Sequence, residues 1–252
     1  GRLAMRKLEA KITPIKIKCI SFNILITDIS LEHKTILYVN LTYTRVVYLD
    51  CAELNTSSIK DGLLWRAAMI KTLRPYQLEA VESTMAWIRR NSLPCLLDLS
   101  VGAGKTVIIA EICKRLLNIA SNKKILVIAP NKELIEQNFK EYVSFGGEAS
   151  YYSASISKSL RNPVIFASER SFDKVAEKYG EMFSCVIIDE ADCTTPTIKR
   201  IVSDMQKGNP NIRVVGLSGT CFVLGSGYIY EIDENGAKVE ETINPYYKKL
   251  LY

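Results

Sequence analysis

The sequence predicts an α/β protein, a parallel sheet with helices on both faces, preceded by a small β-rich N-terminal domain. Three observations predict it. From about residue 72 onward, short continuous apolar runs recur with helical patterns between them, which is how strands buried on both faces read. One of these runs, Leu96-Leu97-Asp98-Leu99, leads into the glycine-rich stretch Ser100-Val101-Gly102-Ala103-Gly104-Lys105-Thr106. Before residue 70 apolar and polar residues instead alternate at period two.

Taken in order, residues 1–4 precede Met5 and read as a cloning or protease scar. Ile15, Ile17 and Cys19 alternate with Lys16 and Lys18. Leu37, Val39, Leu41 and Tyr43 alternate with Tyr38, Asn40 and Thr42, and the run continues through Val46-Val47-Tyr48-Leu49. Glu32-His33-Lys34 is a polar break. This pattern predicts half-buried antiparallel strands and a domain over 5–70. Asn55-Thr56-Ser57-Ser58 and Asp61-Gly62 mark a turn-rich exit.

A second domain is expected over 71–222. Arg74-Pro75-Tyr76-Gln77 opens a helix to about Arg90, with Leu78, Val81, Met85 and Ile88 on one face. Strands are expected at Leu96–Leu99, Lys124–Pro130, Val164–Ala167, Cys185–Asp189 and Arg213–Leu217, with helices over 105–118 and about 132–144. Residues 223–252 read as a C-terminal extension or linker. Within it, Tyr228–Ile232 and Lys238–Glu240 flank Asp233-Glu234-Asn235-Gly236 as a β-hairpin.

The 252 residues, 48% hydrophobic and 24% charged, suit a soluble globular protein of one or two domains. No apolar run approaches the roughly 18 residues of a membrane span. Seven cysteines without a C-x-x-C pair, and one histidine, argue against zinc and for reduced thiols in a cytoplasmic protein, host cytoplasm if viral. A net charge of +6 suits a polyanionic partner and equally a solvated lysine-rich surface.

The chemistry begins at the glycine-rich stretch. Strand, glycine loop, Lys-Thr and helix is the layout of a phosphate-binding loop. Gly102, Ala103 and Gly104 would curl the backbone so that its N–H groups face an anion, with the helix N-terminus adding partial positive charge. Lys105 would reach the β- and γ-phosphates, and the Thr106 hydroxyl would ligate Mg²⁺. The strict pattern asks for Gly where Leu99 stands, and locally a glycine turn before a surface helix fits as well.

Val186-Ile187-Ile188-Asp189-Glu190-Ala191-Asp192 delivers acids to the carboxyl end of a strand, where ligands bind in open α/β sheets. Phosphoryl transfer needs one carboxylate on the metal or its waters and another to orient or deprotonate the attacking water. Gly216-Leu217-Ser218-Gly219-Thr220 brings hydroxyls to another strand end. Gln77 offers a donor–acceptor pair suited to adenine, although Pro75 also marks a plain helix start. Asn131 caps a helix whose free N–H groups, beside Lys132, could grip a nucleic-acid phosphate; a capped helix without that role is the alternative.

These five motifs, in this order and spacing, resemble the first motor domain of a superfamily-two helicase or translocase, over about residues 72–222. The resemblance implies a RecA-like P-loop NTPase fold that uses ATP and Mg²⁺. It implies that Arg74 and Gln77 lie at the nucleotide, that Gly102 to Thr106 bind it, and that Thr106 and Asp189 hold the metal. Lys105, Asp189 and Glu190 are then catalytic, and Asp192, Ser218 and Thr220 couple the site to movement. Asn131, Lys132 and Ser168 (in the loosely matching Phe166–Arg170) are then nucleic-acid contacts. Asp189-Glu190-Ala191-Asp192 spells the DEAD-box signature, but that family has Ala where Gly219 stands. The Arg-Pro-Tyr-Gln opening and Leu-Ser-Gly-Thr are more similar to DNA translocases of the RecG, XPB and type III restriction kind.

A β-rich domain before the motor looks like phage UvsW-type branch-migration helicases, with Lys16, Lys18 and Arg45 as possible DNA contacts or ordinary surface residues. DNA is therefore the expected partner ahead of RNA. The resemblance also implies a second motor domain whose arginines complete the ATP site. Nothing after Thr220 supplies them, so the chain is expected to be an N-terminal fragment that hydrolyses ATP poorly. The rival readings are an RNA helicase of DEAD-box type and a P-loop switch or assembly subunit that does not translocate.

Overall fold

The computed structural model describes residues 13–19, 22–31, 34–40 and 73–252. The chain divides into two units, residues 1–69 and 70–252. In the first, β1 (Thr13–Cys19), β2 (Phe22–Leu31) and β3 (Lys34–Asn40) form an antiparallel sheet in the order β1-β2-β3. Ile17 faces Ile24, Ile29 faces Ile36, and Leu31 pairs with Lys34. The alternating pattern marked β1 and β3 but not β2. The continuation through Leu49, the polar residues Glu32 and His33, the turn residues 55–62, Arg45 and the first four residues lie outside the described residues. So do the side chains of Lys16 and Lys18.

The second unit is built on a nine-stranded sheet. Its strands are β4 (Cys95–Asp98), β5 (Lys124–Ile128), β6 (Ala149–Ser153), β7 (Ser157–Lys158), β8 (Val164–Ala167), β9 (Phe183–Asp189), β10 (Arg213–Ser218), β13 (Tyr230–Ile232) and β14 (Tyr247–Leu250). Their spatial order is β13-β14-β4-β10-β9-β5-β8-β6-β7. The sheet is mixed rather than wholly parallel, because β7 returns antiparallel against β6; the other pairs are parallel. A short ribbon, β11 (Phe222–Val223) with β12 (Gly227–Tyr228), stands apart from it.

Alternate residues of the buried strands serve opposite faces. Leu97, Ile125, Val127, Phe166, Ile187 and Leu217 pack under α1 (Pro75–Arg90), α2 (Lys105–Ile119) and α3 (Lys132–Ser144). Leu126, Ile128, Ile165, Val186, Ile188 and Val214 pack under α4 (Glu169–Phe172), α5 (Ala176–Tyr179) and α6 (Pro196–Gly208). Each fully buried aliphatic contributes about 1.5–3 kcal/mol by leaving water. In α6, Thr195 caps the Ile198 N–H at 3.1 Å, and Ile198, Ile201, Val202 and Met205 form the buried stripe.

Two expectations change. Leu78 is 38% exposed, and the buried face of α1 is Gln77, Ala80, Val81, Thr84, Met85 and Ile88. Gln77 turns inward to bond the glycine-rich loop, and this sets the rotation of the helix. The hairpin expected at 228–240 is short: one antiparallel bridge, Ile232 to Lys238, with the Asp233 N–H donating to the Ala237 carbonyl at 2.9 Å and the Val239 N–H to the Glu231 carbonyl at 3.0 Å. The partner of β13 is instead β14, in parallel, so residues 223–252 contribute two strands to the main sheet. The Tyr247 side chain is fully buried against Gly216 of β10, where an added Cβ would come within 2.5 Å of the ring.

Candidate nucleotide site

The candidate residues gather along one edge of the sheet, at the carboxyl ends of β4, β5, β8, β9 and β10. β4 runs into the loop 99–104, where Gly102 (φ 85°) and Gly104 (φ 77°) take the left-handed backbone that glycine adopts without a Cβ penalty. Nothing lies within 4 Å of a Cβ placed on Gly102, so the loop is open there. Gly104 also caps α2, whose first residues are Lys105 and Thr106. The N–H groups of the first turn of α2 and the helix dipole converge on this point, a setting for phosphate, while the Ala103 N–H is held by the Ser100 carbonyl at 3.0 Å. A cleft of about 410 Å³ beside it is lined by Tyr76, Asp98, Leu99, Gly102, Ala103 and Tyr252, among others.

Gln77 braces the loop from α1. Its Nε2 donates to the Ala103 carbonyl at 2.8 Å, and its Oε1 accepts from the Arg74 backbone N–H at 2.9 Å. The Tyr76 hydroxyl donates to the same carbonyl at 2.9 Å and accepts from Arg74 Nη1 at 3.3 Å. The side chain expected to read adenine is thus already bonded at both ends to this chain's own backbone.

β9 carries the acids. Lys105 Nζ donates to both oxygens of Glu190, at 2.8 and 2.9 Å. Glu190 has φ 52°, a left-handed conformation that costs a side-chain-bearing residue roughly 1–2 kcal/mol. That turn aims its carboxylate back at α2. Asp189 is only 4% exposed; its Oδ2 accepts from Asn138 Nδ2 at 2.8 Å and its Oδ1 from the Glu190 N–H at 3.1 Å. Burial pushes the Asp189 carboxyl above its usual range, against the opposing pull of the Asn138 hydrogen bond and the Lys105 charge. A divalent cation beside it would remove that penalty. Thr106 follows Lys105 at the start of α2, and a hydroxyl with a carboxylate is the oxygen-donor chemistry that suits Mg²⁺.

Asp192 and the β10 loop close the group. Ser218 Oγ donates to Asp192 Oδ1 at 2.6 Å and accepts from the Thr220 N–H at 3.1 Å. A Cβ on Gly219 would stand 3.2 Å from the Leu99 carbonyl, so glycine here lets the loop lie against the start of the glycine-rich loop. Asn131, Lys132 and Ser168 sit farther along the same edge, after β5 and β8. Asn131 Oδ1 caps the Leu134 N–H at 2.9 Å, Lys132 pairs with Glu136 at 3.6 Å, and Ser168 Oγ donates to Ser171 Oγ at 2.9 Å.

Sequence reasoning missed Asn138, Tyr76 as a brace, and Tyr252 in the cleft wall. Asn138 carried a signal: it is the polar member of the buried stripe Ile135, Asn138, Tyr142 on α3. Tyr76 and Tyr252 carried none, because their partners are backbone atoms distant in sequence.

Residues 70–223 match the family described as type III restriction enzyme, res subunit. No curated protein sequence matches the chain. Among solved structures, the UvsW helicase from bacteriophage T4 is similar with a TM-score of 0.53 and 20% identity, over 71% of this chain and 59% of that one. The type ISP restriction-modification enzyme LlaGI, a nuclease-deletion mutant with a DNA substrate mimic, gives 0.51 and 15%, over 72% and 20%. Mss116p bound to ssRNA and AMP-PNP gives 0.50 and 18%, over 62% and 37%. At such identities the likeness is one of fold, and the chain spans less than two thirds of each of these structures. No helix among the described residues is long and apolar enough to cross a membrane.

Proposed function

We propose a DNA-translocating role from a premise of family: the chain belongs to the type III restriction enzyme, res subunit family, and its 70–223 domain has the fold of a superfamily-two helicase first motor domain. In our reading it couples ATP hydrolysis to movement on duplex or branched DNA. The observation that carries the reading is the Lys105–Glu190 pair, which closes two strand ends 85 residues apart in sequence, beside Asp189 and an open phosphate loop.

In our reading, which the geometry supports, each residue has a role. The N–H groups of Gly102 and Gly104 donate to phosphate oxygens, and Lys105 exchanges Glu190 for the β- and γ-phosphates. Thr106 and Asp189 would hold Mg²⁺, which would supply positive charge to neutralise the phosphates. Glu190, released from Lys105, accepts hydrogen bonds from the attacking water and takes its proton. Asp192 and Ser218 join this site to the β10 loop, and Asn131, Lys132 and Ser168 meet nucleic-acid phosphates at the same sheet edge.

DNA is favoured over RNA by the restriction-enzyme family and by the DNA substrate mimic in LlaGI. RNA has the Mss116p likeness in its favour. Hydrolysis measured with linear duplex, four-way-junction DNA and single-stranded RNA separates them. Stimulation by DNA, lost in Glu190→Gln, is expected. Stimulation by RNA alone would move the chain to RNA unwinding, and nucleotide binding without any nucleic-acid affinity at low salt would make it a switch.

A further inference from the structure

We propose that Asn138 is a positioning residue for the metal-binding carboxylate, fixing Asp189 to the helix whose N-terminus carries Asn131 and Lys132. The inference rests on the nucleotide-site reading above and adds a residue from outside every motif.

Asn138 is 1% exposed and lies on the buried stripe of α3. It reaches across 51 residues of sequence to Asp189 at 2.8 Å. The other Asp189 oxygen is held by the Glu190 N–H, so the carboxylate is pinned on both sides. The pairing has chemical direction: an ionised carboxylate only accepts, so the amide must present nitrogen and not oxygen. The consequence is visible on the amide itself. Asn138 Oδ1 is buried with no hydrogen-bond partner among the described residues. An unpaired buried amide oxygen is destabilising, and leucine would fill a similar volume without that cost. An amide at this position therefore does not serve packing. It orients the carboxylate, and its spare acceptor suits a donor that arrives with the metal, such as a coordinated water.

The placement also joins two parts of the site. Asn131 and Asn138 stand seven residues apart on one helix, about 10 Å along its axis. A movement of the α3 N-terminus on a bound phosphate backbone would reach Asp189 through a single hydrogen bond.

The test is titration of the whole chain with a fluorescent ATP analogue across a Mg²⁺ series, with the affinity in EDTA as reference. The proteins compared are wild type, Asn138→Leu, Asn138→Ser, Asp189→Asn, and Asn138→Leu combined with Asp189→Asn. Each Asn138 variant is expected to weaken the Mg²⁺-dependent affinity by about 10- to 100-fold while its affinity in EDTA stays at the wild-type value. Asn138→Leu should add nothing to Asp189→Asn, because it acts through that carboxylate. Serine is too short to reach Asp189 and serves if the leucine variant does not fold. A folded variant that follows the wild-type Mg²⁺ curve, or additive effects in the double variant, overturns the proposal. Absence of Mg²⁺-dependent nucleotide binding in the wild type overturns the nucleotide-site reading itself, and this proposal with it.

Discussion

At the scale of residues, Lys105 and Glu190 hold each other in a state ready to be exchanged. Two groups that the proposed mechanism uses separately neutralise one another at 2.8 Å, with side chains 14% and 31% exposed. The strained backbone at Glu190 shows that the turn is held by its surroundings, since nothing in a glutamate favours φ 52°. Removing either partner should therefore have opposite effects on binding. Glu190→Gln frees the Lys105 ammonium for phosphate, so nucleotide affinity is expected to hold or rise while single-turnover hydrolysis falls by about 10²–10⁴-fold, the usual worth of a positioned base. Lys105→Ala should lose both. If Glu190→Gln lost nucleotide affinity as fully as Lys105→Ala, the exchange would be wrong.

At the scale of elements, legibility followed burial pattern. The strands β4, β5, β8, β9 and β10 are buried on both faces and stood out as apolar runs, and the acids and glycines at their ends were legible for the same reason. The strand β14, Tyr-Lys-Lys-Leu, has two partly exposed lysines between its buried ends and was not legible. Likewise β6, Ala-Ser-Tyr-Tyr-Ser, has no apolar run. The helix α6 carries its own sequence signals, a Thr195 cap, Pro196 at the first position and apolar residues at helical spacing. Asn138 was legible as a polar residue on an apolar stripe, but its partner Asp189 was not, because only the fold brings α3 against the end of β9.

The β14 strand is nonetheless structural. The Tyr247 ring covers Gly216, and the Thr194 hydroxyl, which donates to the Ala191 carbonyl at 2.6 Å, accepts from the Tyr247 hydroxyl at 2.9 Å. Burial holds the Tyr247 phenol well above its usual range, so it stays a donor. Tyr247→Ala should cost about 3–5 kcal/mol in denaturant unfolding, as other large aromatic deletions do, and Tyr247→Phe about 1 kcal/mol. Equal and small losses from both would mean that β14 is not part of the cooperative unit.

At the scale of the whole unit, the site is distributed and not local. Gln77 comes from the first helix, Lys105 follows β4, Glu190 follows β9 and Ser218 ends β10, so a nucleotide touching this group clasps elements from residue 77 to residue 218. A ligand that binds only the folded arrangement stabilises it by mass action, about 2.7 kcal/mol at a hundred times its dissociation constant. For a unit of this size each kcal/mol raises the melting temperature by about 2–4 °C. The expected outcome is a rise of about 5–10 °C in the transition of residues 70–252 with saturating ATP and Mg²⁺, measured by calorimetry and by far-UV circular dichroism together. Coincident shifts by both probes are required, because they report the sheet as a whole and not the loop alone. Lys105→Ala should melt near the wild-type temperature without nucleotide and show no rise with it. A wild-type transition unmoved by nucleotide at a concentration that saturates binding would mean that the ligand meets the loop alone, and the clasp across β4, β9 and β10 would have to be abandoned.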